Sequence, residues 1–248
     1  MKHLLRNWVL AFVAPRPLVG ILHLPRYLRD WWRYRNLSEG TPRSTFADSY
    51  PCLVDWTPST PFDPHYFHQG AWLARRLAAA SPSLHVDVGS SVMMLSVMTA
   101  WCPTLFVDVR PLQARLSGLL PVAGTLLRLP FADGALRSLS CLHVIEHVGL
   151  GRYGDQVDPD GARLAAAELQ RVLAPGGHLH LSVPVGRERV CFNAHRVFDP
   201  RTILAWFGAC DLDAFMLVDD QGALHAAADP AAAAGLEYGC GMFALRKR

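Results

Sequence analysis

Residues 84–108 read LHVDVGSSVMMLSVMTAWCPTLFVD. Leu84 to Val88 is a short apolar run, Gly89, Ser90 and Ser91 make a turn, the segment from Val92 has helical character, and Thr104 to Asp108 is a second apolar run ending in an acid. Two short apolar runs joined by a helical stretch make a parallel βαβ unit. The same alternation continues to the C-terminus, with strands expected at Leu84–Val88, Thr104–Asp108, Thr125–Leu127, Leu139–Val144, His178–Val183, Asp213–Val218 and Gly241–Leu245. The expected architecture is α/β: a doubly wound, mostly parallel, seven-stranded sheet with helices on both faces.

Helix signals flank this core. Asp63 and Pro64 read as an N-cap and first helical residue for a helix through Ala80, with Tyr66, Phe67, Trp72, Leu73 and Leu77 at helical spacing. A second helix starts at the Asp158–Pro159 cap and stops at Gly176 and Gly177. Upstream, Leu37 to Asp63 is dense in Pro, Ser, Thr and Gly, which places a boundary there. Residues 1–62 are read as an amphipathic, partly helical and irregular extension, and residues 63–248 as the folded domain.

The chain has 248 residues, 51% hydrophobic and 18% charged, enough for one large core. Its net charge of +3 is spread along the sequence, so no nucleic-acid partner is expected. The six cysteines form no CxxC pair, which points to reduced thiols and a cytoplasmic setting. Leu4 to Leu24 is apolar but broken by Arg6, Asn7, Pro15, Arg16 and Pro17, so it makes no clean spanning helix. The run Trp8 to Ala14 is at the short limit for a signal peptide. The mixture RYLRDWWRYR over 26–35 suits a membrane interface, or equally a helix packed on its own domain; peripheral membrane contact through residues 1–35 is the expectation carried forward.

In open parallel sheets ligands sit beyond the carboxyl ends of the strands. Strand one ends in Asp87, Val88, Gly89, Ser90 and Ser91, where a glycine permits close approach to a ligand. Strand two ends in Asp108, nineteen residues beyond Gly89, an acid suited to accept both hydroxyl hydrogens of a ribose. From about Leu84 onward the chain resembles the class I S-adenosylmethionine-dependent methyltransferases, a Rossmann-like superfamily. Asp87 and Gly89 match the D-x-G motif, Asp108 the ribose acid, and Leu129, Pro130, Phe131, Ala132 and Asp133 the LPF-x-D segment. Ile145 to Val148 match IEHV, and Leu173 to Leu179 match L-x-PGG-x-L. Two departures stand out: Ser91 and Met93 replace motif glycines, narrowing the room for the cofactor's amino-acid end, and Thr125 and Leu126 stand where an acid often meets adenine.

The resemblance implies S-adenosylmethionine as cofactor, held by Asp87, Gly89, Ser90, Ser91, Asp108, Leu129, Pro130, Phe131 and His143. It also implies methyl transfer, expected here as O-methylation of a polar hydroxylated small molecule or sugar. The segment GLGRYGD, 149–155, resembles the signature of a poorly characterised methyltransferase-like branch, which would also supply Asn193, Ala194, His195 and Arg196. Arg152, Tyr153, Asn193 and Arg196 are the expected acceptor contacts, and His147, His195, Glu146 and Asp155 the expected catalytic groups. On a helical turn His143, Glu146 and His147 would share one face, within reach of His195. That arrangement resembles the divalent-metal set of small-RNA terminal 2′-O-methyltransferases, with His143 in place of a glutamate. A metal bound by these four residues, a metal-free histidine base and a purely structural role all remain open.

Three competing classes have sequence criteria of their own. A nicotinamide dehydrogenase would need glycines at Ser91 and Met94. HVIEH at 143–147 also fits the H-x-x-E-H of inverted zinc peptidases, which requires a continuous helix there. The third is a catalytically silent binding module on the same fold, held at a membrane surface by the N-terminal segment.

Overall fold

The computed structural model describes residues 17–37, 44–110 and 112–248. The apolar run Trp8 to Ala14 lies outside them. The chain divides into two compact units, 1–62 and 63–248. In the first, helix α1 (Pro17–Leu37) carries Pro25 in its interior. Its His23 Nδ1 lies 2.7 Å from the Leu53 carbonyl, and the Arg26 guanidinium stacks 3.9 Å from the Trp56 ring centre. Among the described residues, no helix is long and apolar enough to cross a membrane.

The second unit opens with α2 (Pro64–Ala80). Asp63 caps it, accepting from the amides of His65 and Tyr66 as an N-cap carboxylate does. The first βαβ unit follows as β1 (His85–Val88), α3 (Val92–Met98) and β2 (Thr104–Asp108). Next come β3 (Leu119–Ala123), β4 (Leu136–Leu142), α4 (Gly161–Val172) and β5 (Leu173–Val185). A hairpin of β6 (Arg189–Cys191) and β7 (His195–Val197) stands apart as its own two-stranded sheet. The chain ends with α5 (Pro200–Trp206), β8 (Cys210–Val218), β9 (Leu224–His225) and β10 (Gly239–Lys247).

The strand order is β3-β2-β1-β4-β5-β10-β8-β9. The pairings from β3 to β5 are parallel, whereas β10 runs antiparallel between β5 and β8. The sheet therefore has eight strands rather than seven, the extra one being the two-residue β9. Side chains alternate between two cores. Val86, Val88, Val107, Leu139 and Cys141 pack with Ala165, Leu169, Ile203 and Phe207 on the face covered by α4 and α5. Phe106, Leu142, Cys240 and Met242 pack with Trp72, Leu73, Leu77, Leu95 and Met98 on the face covered by α2 and α3.

Three expected elements shift. The third strand lies at Leu119–Ala123, and Thr125–Arg128 is a turn closed by an isolated bridge. Pro121 argues against a strand in sequence, but β3 is an edge, where a missing N–H costs no ladder bond on the open side. Helix α4 begins at Gly161, two residues after Pro159, because the Asp158 carboxylate accepts the Asp160 amide and holds a preceding turn. Strand β4 ends at Leu142, and His143 takes φ +55°. A single 3-10 turn, Ile145–His147, follows. No continuous helix spans HVIEH, so the peptidase geometry is absent there.

Candidate active site

The carboxyl end of β1 is fixed by a buried polar chain. Asp87 is fully buried; its Oδ1 accepts the Ser90 amide at 3.0 Å and its Oδ2 accepts the Ser140 hydroxyl. Burial pushes the Asp87 carboxyl up to about 6, against those hydrogen bonds. His85, bridging Ser138 and Ser140 through its two ring nitrogens at 2.8 Å each, is pushed down to about 4 by the same burial. Asp87 thus shapes the loop rather than facing a ligand. Ser90 Oγ accepts the Leu142 amide at 2.9 Å, while Ser90 and Ser91 also line the second cavity described below. Gly89 sits at φ +70°, and a Cβ there would lie 3.0 Å from Val144 Cγ1. Met93 is 76% exposed, so it does not crowd the loop as the sequence suggested.

Beyond β1 and β2 a cleft of about 120 Å³ is lined by Gly89, Asp108, Val109, Leu126, Leu127 and His143, among others. Asp108 Oδ1 accepts the Arg110 amide at 2.7 Å, while Oδ2 accepts no hydrogen bond among the described residues. The Arg110 guanidinium lies 4.5 Å from the Tyr153 ring centre. Both residues line the cleft. Leu129, Pro130 and Phe131, expected as cofactor contacts, line a different depression against α4. Glu168 accepts the Leu129 amide at 2.6 Å, and Arg171 donates to the Leu129 and Phe131 carbonyls, which draws the segment away from the cleft.

A second cavity of about 520 Å³ adjoins the cleft, sharing Gly89, His143, His147 and Tyr153 with it. It also holds Glu146, Arg152, His195, and three residues the sequence reading passed over as site candidates: His65, Tyr66 and Tyr238. Glu146 is fully buried. Its Oε1 lies 2.9 Å from His143 Nδ1 and 3.7 Å from His147 Nε2, and its Oε2 has no hydrogen-bond partner among the described residues. Burial opposes charge on His143, but the Cys240 sulfur, 3.4 Å from Nε2, and Glu146 outweigh it and raise the imidazole to about 10. His147 differs. Its Nδ1 lies 2.6 Å from the Ala194 carbonyl, so the proton sits on Nδ1 and Nε2 keeps its lone pair. Burial lowers its pKa, as it does those of His65 and His195.

The GLGRYGD loop is held from within and from behind. Asp155 accepts the Gly149 amide at 2.7 Å and the Tyr153 amide at 3.2 Å, and these backbone bonds lower its pKa against partial burial. Each oxygen thus accepts one amide, which ties the loop together, and Asp155 also borders the cleft. Arg196 is 7% exposed and donates to the carbonyls of Glu146, Val148, Asp158 and Pro159. Asn193, at φ +62°, donates to the Leu150 carbonyl. Neither borders the acceptor cavity, so the expected substrate role of these two becomes a clamp on the loop. The metal set expected from His143, Glu146, His147 and His195 does not converge either. Among the described residues, the group whose ligand atoms converge is His65, His143 and Cys240 instead.

Solved structures with this strand arrangement include N-methyltransferase NodS from Bradyrhizobium japonicum WM9 in complex with S-adenosyl-L-homocysteine. It is 16% identical, with a TM-score of 0.53 over 88% of this chain and 97% of that one. The YcgJ protein from Bacillus subtilis is 14% identical, with a TM-score of 0.51 over 73% and 99%. The [4+2]-cyclase SpnF is 14% identical, with a TM-score of 0.53 over 73% and 80%. The fold is that of class I S-adenosylmethionine-dependent methyltransferases. Because one structure of this fold is named a cyclase, the fold alone leaves the reaction undetermined. By sequence, the family described as "Caenorhabditis protein of unknown function, DUF268" matches residues 130–215, which include the GLGRYGD loop and the Arg196 clamp. No curated protein matches the sequence.

Proposed function

We propose that the domain of residues 63–248 transfers a methyl group from S-adenosylmethionine to a hydroxyl of a small polar acceptor, with His147 as general base. The observation that carries this reading is the fixed tautomer of His147: Nδ1–H is held by the Ala194 carbonyl, and Nε2 is left as a lone pair beside the acceptor cavity. The lining of the cleft fits the cofactor. Asp108 offers an uncommitted Oδ2 for a ribose diol, and Val109, Leu126 and Leu127 offer apolar walls for a purine. When bound, S-adenosylmethionine supplies an electrophilic methyl on a sulfonium. The residues of the chain then hold the acceptor and take its proton. With its pKa lowered by burial, His147 is neutral near pH 7 and accepts the hydroxyl proton on Nε2. Glu146 Oε1, at 3.7 Å, stabilises the imidazolium that forms.

The acceptor cavity presents Arg152, His195 and the flat faces of Tyr66, Tyr153 and Tyr238. Hydrogen-bonding groups among aromatic faces suit a sugar or another hydroxylated metabolite, free or within a glycan. All six cysteines are free, which supports a reducing, cytoplasmic setting, with residues 1–35 giving peripheral contact to a membrane surface. The test is transfer of isotopically labelled methyl to a panel of hydroxylated small molecules and saccharides. With an acceptor in hand, His147→Ala lowers kcat by about 10²–10⁴-fold and leaves S-adenosylhomocysteine affinity within a few-fold. Unchanged kcat in His147→Ala removes the base from this scheme.

A further inference from the structure

We infer that His65, His143 and Cys240 form a binding site for a divalent transition-metal ion of borderline softness, such as zinc, with its open side toward the acceptor cavity. The three residues come from the first turn of α2, the turn after β4 and the first part of β10. Their candidate ligand atoms all lie within 4.8 Å of one another. His143 Nε2 stands 3.4 Å from Cys240 Sγ. Nitrogen and sulfur ligands placed tetrahedrally on one zinc are about 3.5 Å apart. His65 needs only a small approach to complete the set, and its ring already lies beside that of His143, with centres 5.5 Å apart.

Two further observations point to a cation. Glu146 Oε1 holds His143 Nδ1 at 2.9 Å, which fixes that ring with Nε2 toward Cys240. A carboxylate behind a histidine is the usual orienting partner of a metal ligand. Glu146 is also fully buried, and its Oε2 has no hydrogen-bond partner among the described residues. A dication held by a neutral His143 and the Cys240 thiolate would keep beside that carboxylate the positive charge that a protonated His143 supplies in its absence. Two imidazoles and a thiolate select borderline metals over magnesium or calcium. With three protein ligands and a fourth position free, the arrangement matches open zinc sites rather than closed structural ones. Since His65 and His143 border the acceptor cavity, the fourth position is available to a group bound there.

The test needs only the metal. Full-length, untagged protein is exposed to zinc chloride, dialysed against metal-free buffer, and assayed for zinc per chain by mass spectrometry. Cobalt(II) titration then reads the thiolate-to-cobalt absorption band. The expected result is one zinc per folded chain and a cobalt–thiolate band, with affinity falling at least tenfold in Cys240→Ser and in His65→Ala. Glu146→Gln weakens affinity by about 10–100-fold, and Cys191→Ser, at a thiol outside the cluster, leaves it unchanged. Circular dichroism establishes that each variant is folded; should Cys240→Ser not fold, His65→Ala decides. Absence of stoichiometric zinc in folded wild-type protein overturns the inference, and so does affinity indifferent to the substitutions at His65 and Cys240.

Discussion

Gly89 and Val144 approach so closely that the end of β1 admits no side chain at that position: φ is +70°, and an added Cβ would sit 3.0 Å from Val144 Cγ1. Gly89→Ala is therefore expected to cost about 1–3 kcal/mol of stability and to weaken cofactor binding, read by urea denaturation and calorimetry on the same preparation. A substitution without either effect would mean that the loop is not conformationally demanding. At this scale the residues whose placement was legible in the sequence are those at, or within a few residues of, a strand's carboxyl end, such as Gly89, Asp108 and His147. His65, Tyr238 and Cys240 were not legible, because three distant segments meet only once β10 is inserted beside β5. Asn193 and Arg196 were recognisable as polar, but their inward direction depends on carbonyls of another loop.

The loop 149–155 contributes Tyr153 to both cavities. Arg196 braces the segments on either side of it through four carbonyls, and Asp155 ties the loop through two amides. Arg196→Ala leaves buried carbonyls unpaired and is expected to destabilise by about 1–3 kcal/mol, with the loss of hydrogen-exchange protection concentrated in residues 146–160. Uniform loss across the sheet would contradict a local clamp. The Arg110–Tyr153 contact lies in the wall of a cleft of about 120 Å³, smaller than pockets for drug-sized ligands at about 300–1,000 Å³. The expectation is that these two side chains separate when the cofactor enters. Tyr153→Ala removes a cation–π contact of about 0.5–1 kcal/mol and should speed S-adenosylhomocysteine association about 2–5-fold in stopped flow. Slower association would show that Tyr153 recruits the ligand instead. Element boundaries were less legible than element types: Pro121 concealed an edge strand, and Asp158 delayed α4 by holding a turn ahead of it.

For the molecule as a whole, the buried histidines set the response to acid. His85 is pushed down to about 4 and His180 to about 3, both by burial, and His180 Nδ1 has no hydrogen-bond partner. Both pKa values lie below the unfolded value of about 6.5, so the unfolded chain binds protons first. The stability these groups contribute is complete above that value and is lost as pH falls toward 4 and 3. Asp87, raised to about 6, acts in the opposite sense: its contribution is present at low pH and is lost as pH rises from about 4 through about 6. From His85, His180 and Asp87 alone the net fall in stability is up to about 1.4 kcal/mol per pH unit below pH 6. His65, His147 and His195, also lowered by burial, add to it. His143, raised to about 10, opposes it only above about pH 6.5, so the urea midpoint at pH 7, 6 and 5 reads the balance. His85→Asn should flatten that slope, and a midpoint rising with acid would contradict the balance. The doubly wound plan was legible because strands buried on both faces read as short, mostly apolar runs, as in Leu105–Val107 and Leu179–Val183, separated by helical stretches. The two-residue β9 carries no such pattern.

The central claim is that the cleft bounded by Gly89 and Asp108 holds S-adenosylmethionine, and calorimetric titration of the full-length protein with S-adenosylmethionine and S-adenosylhomocysteine tests it most directly. One site of micromolar affinity, weakened at least tenfold in folded Asp108→Ala, is the predicted result. No heat of binding from well-folded wild-type protein, or affinity indifferent to Asp108, would contradict the account and leave a silent binding module on the same fold as the better reading.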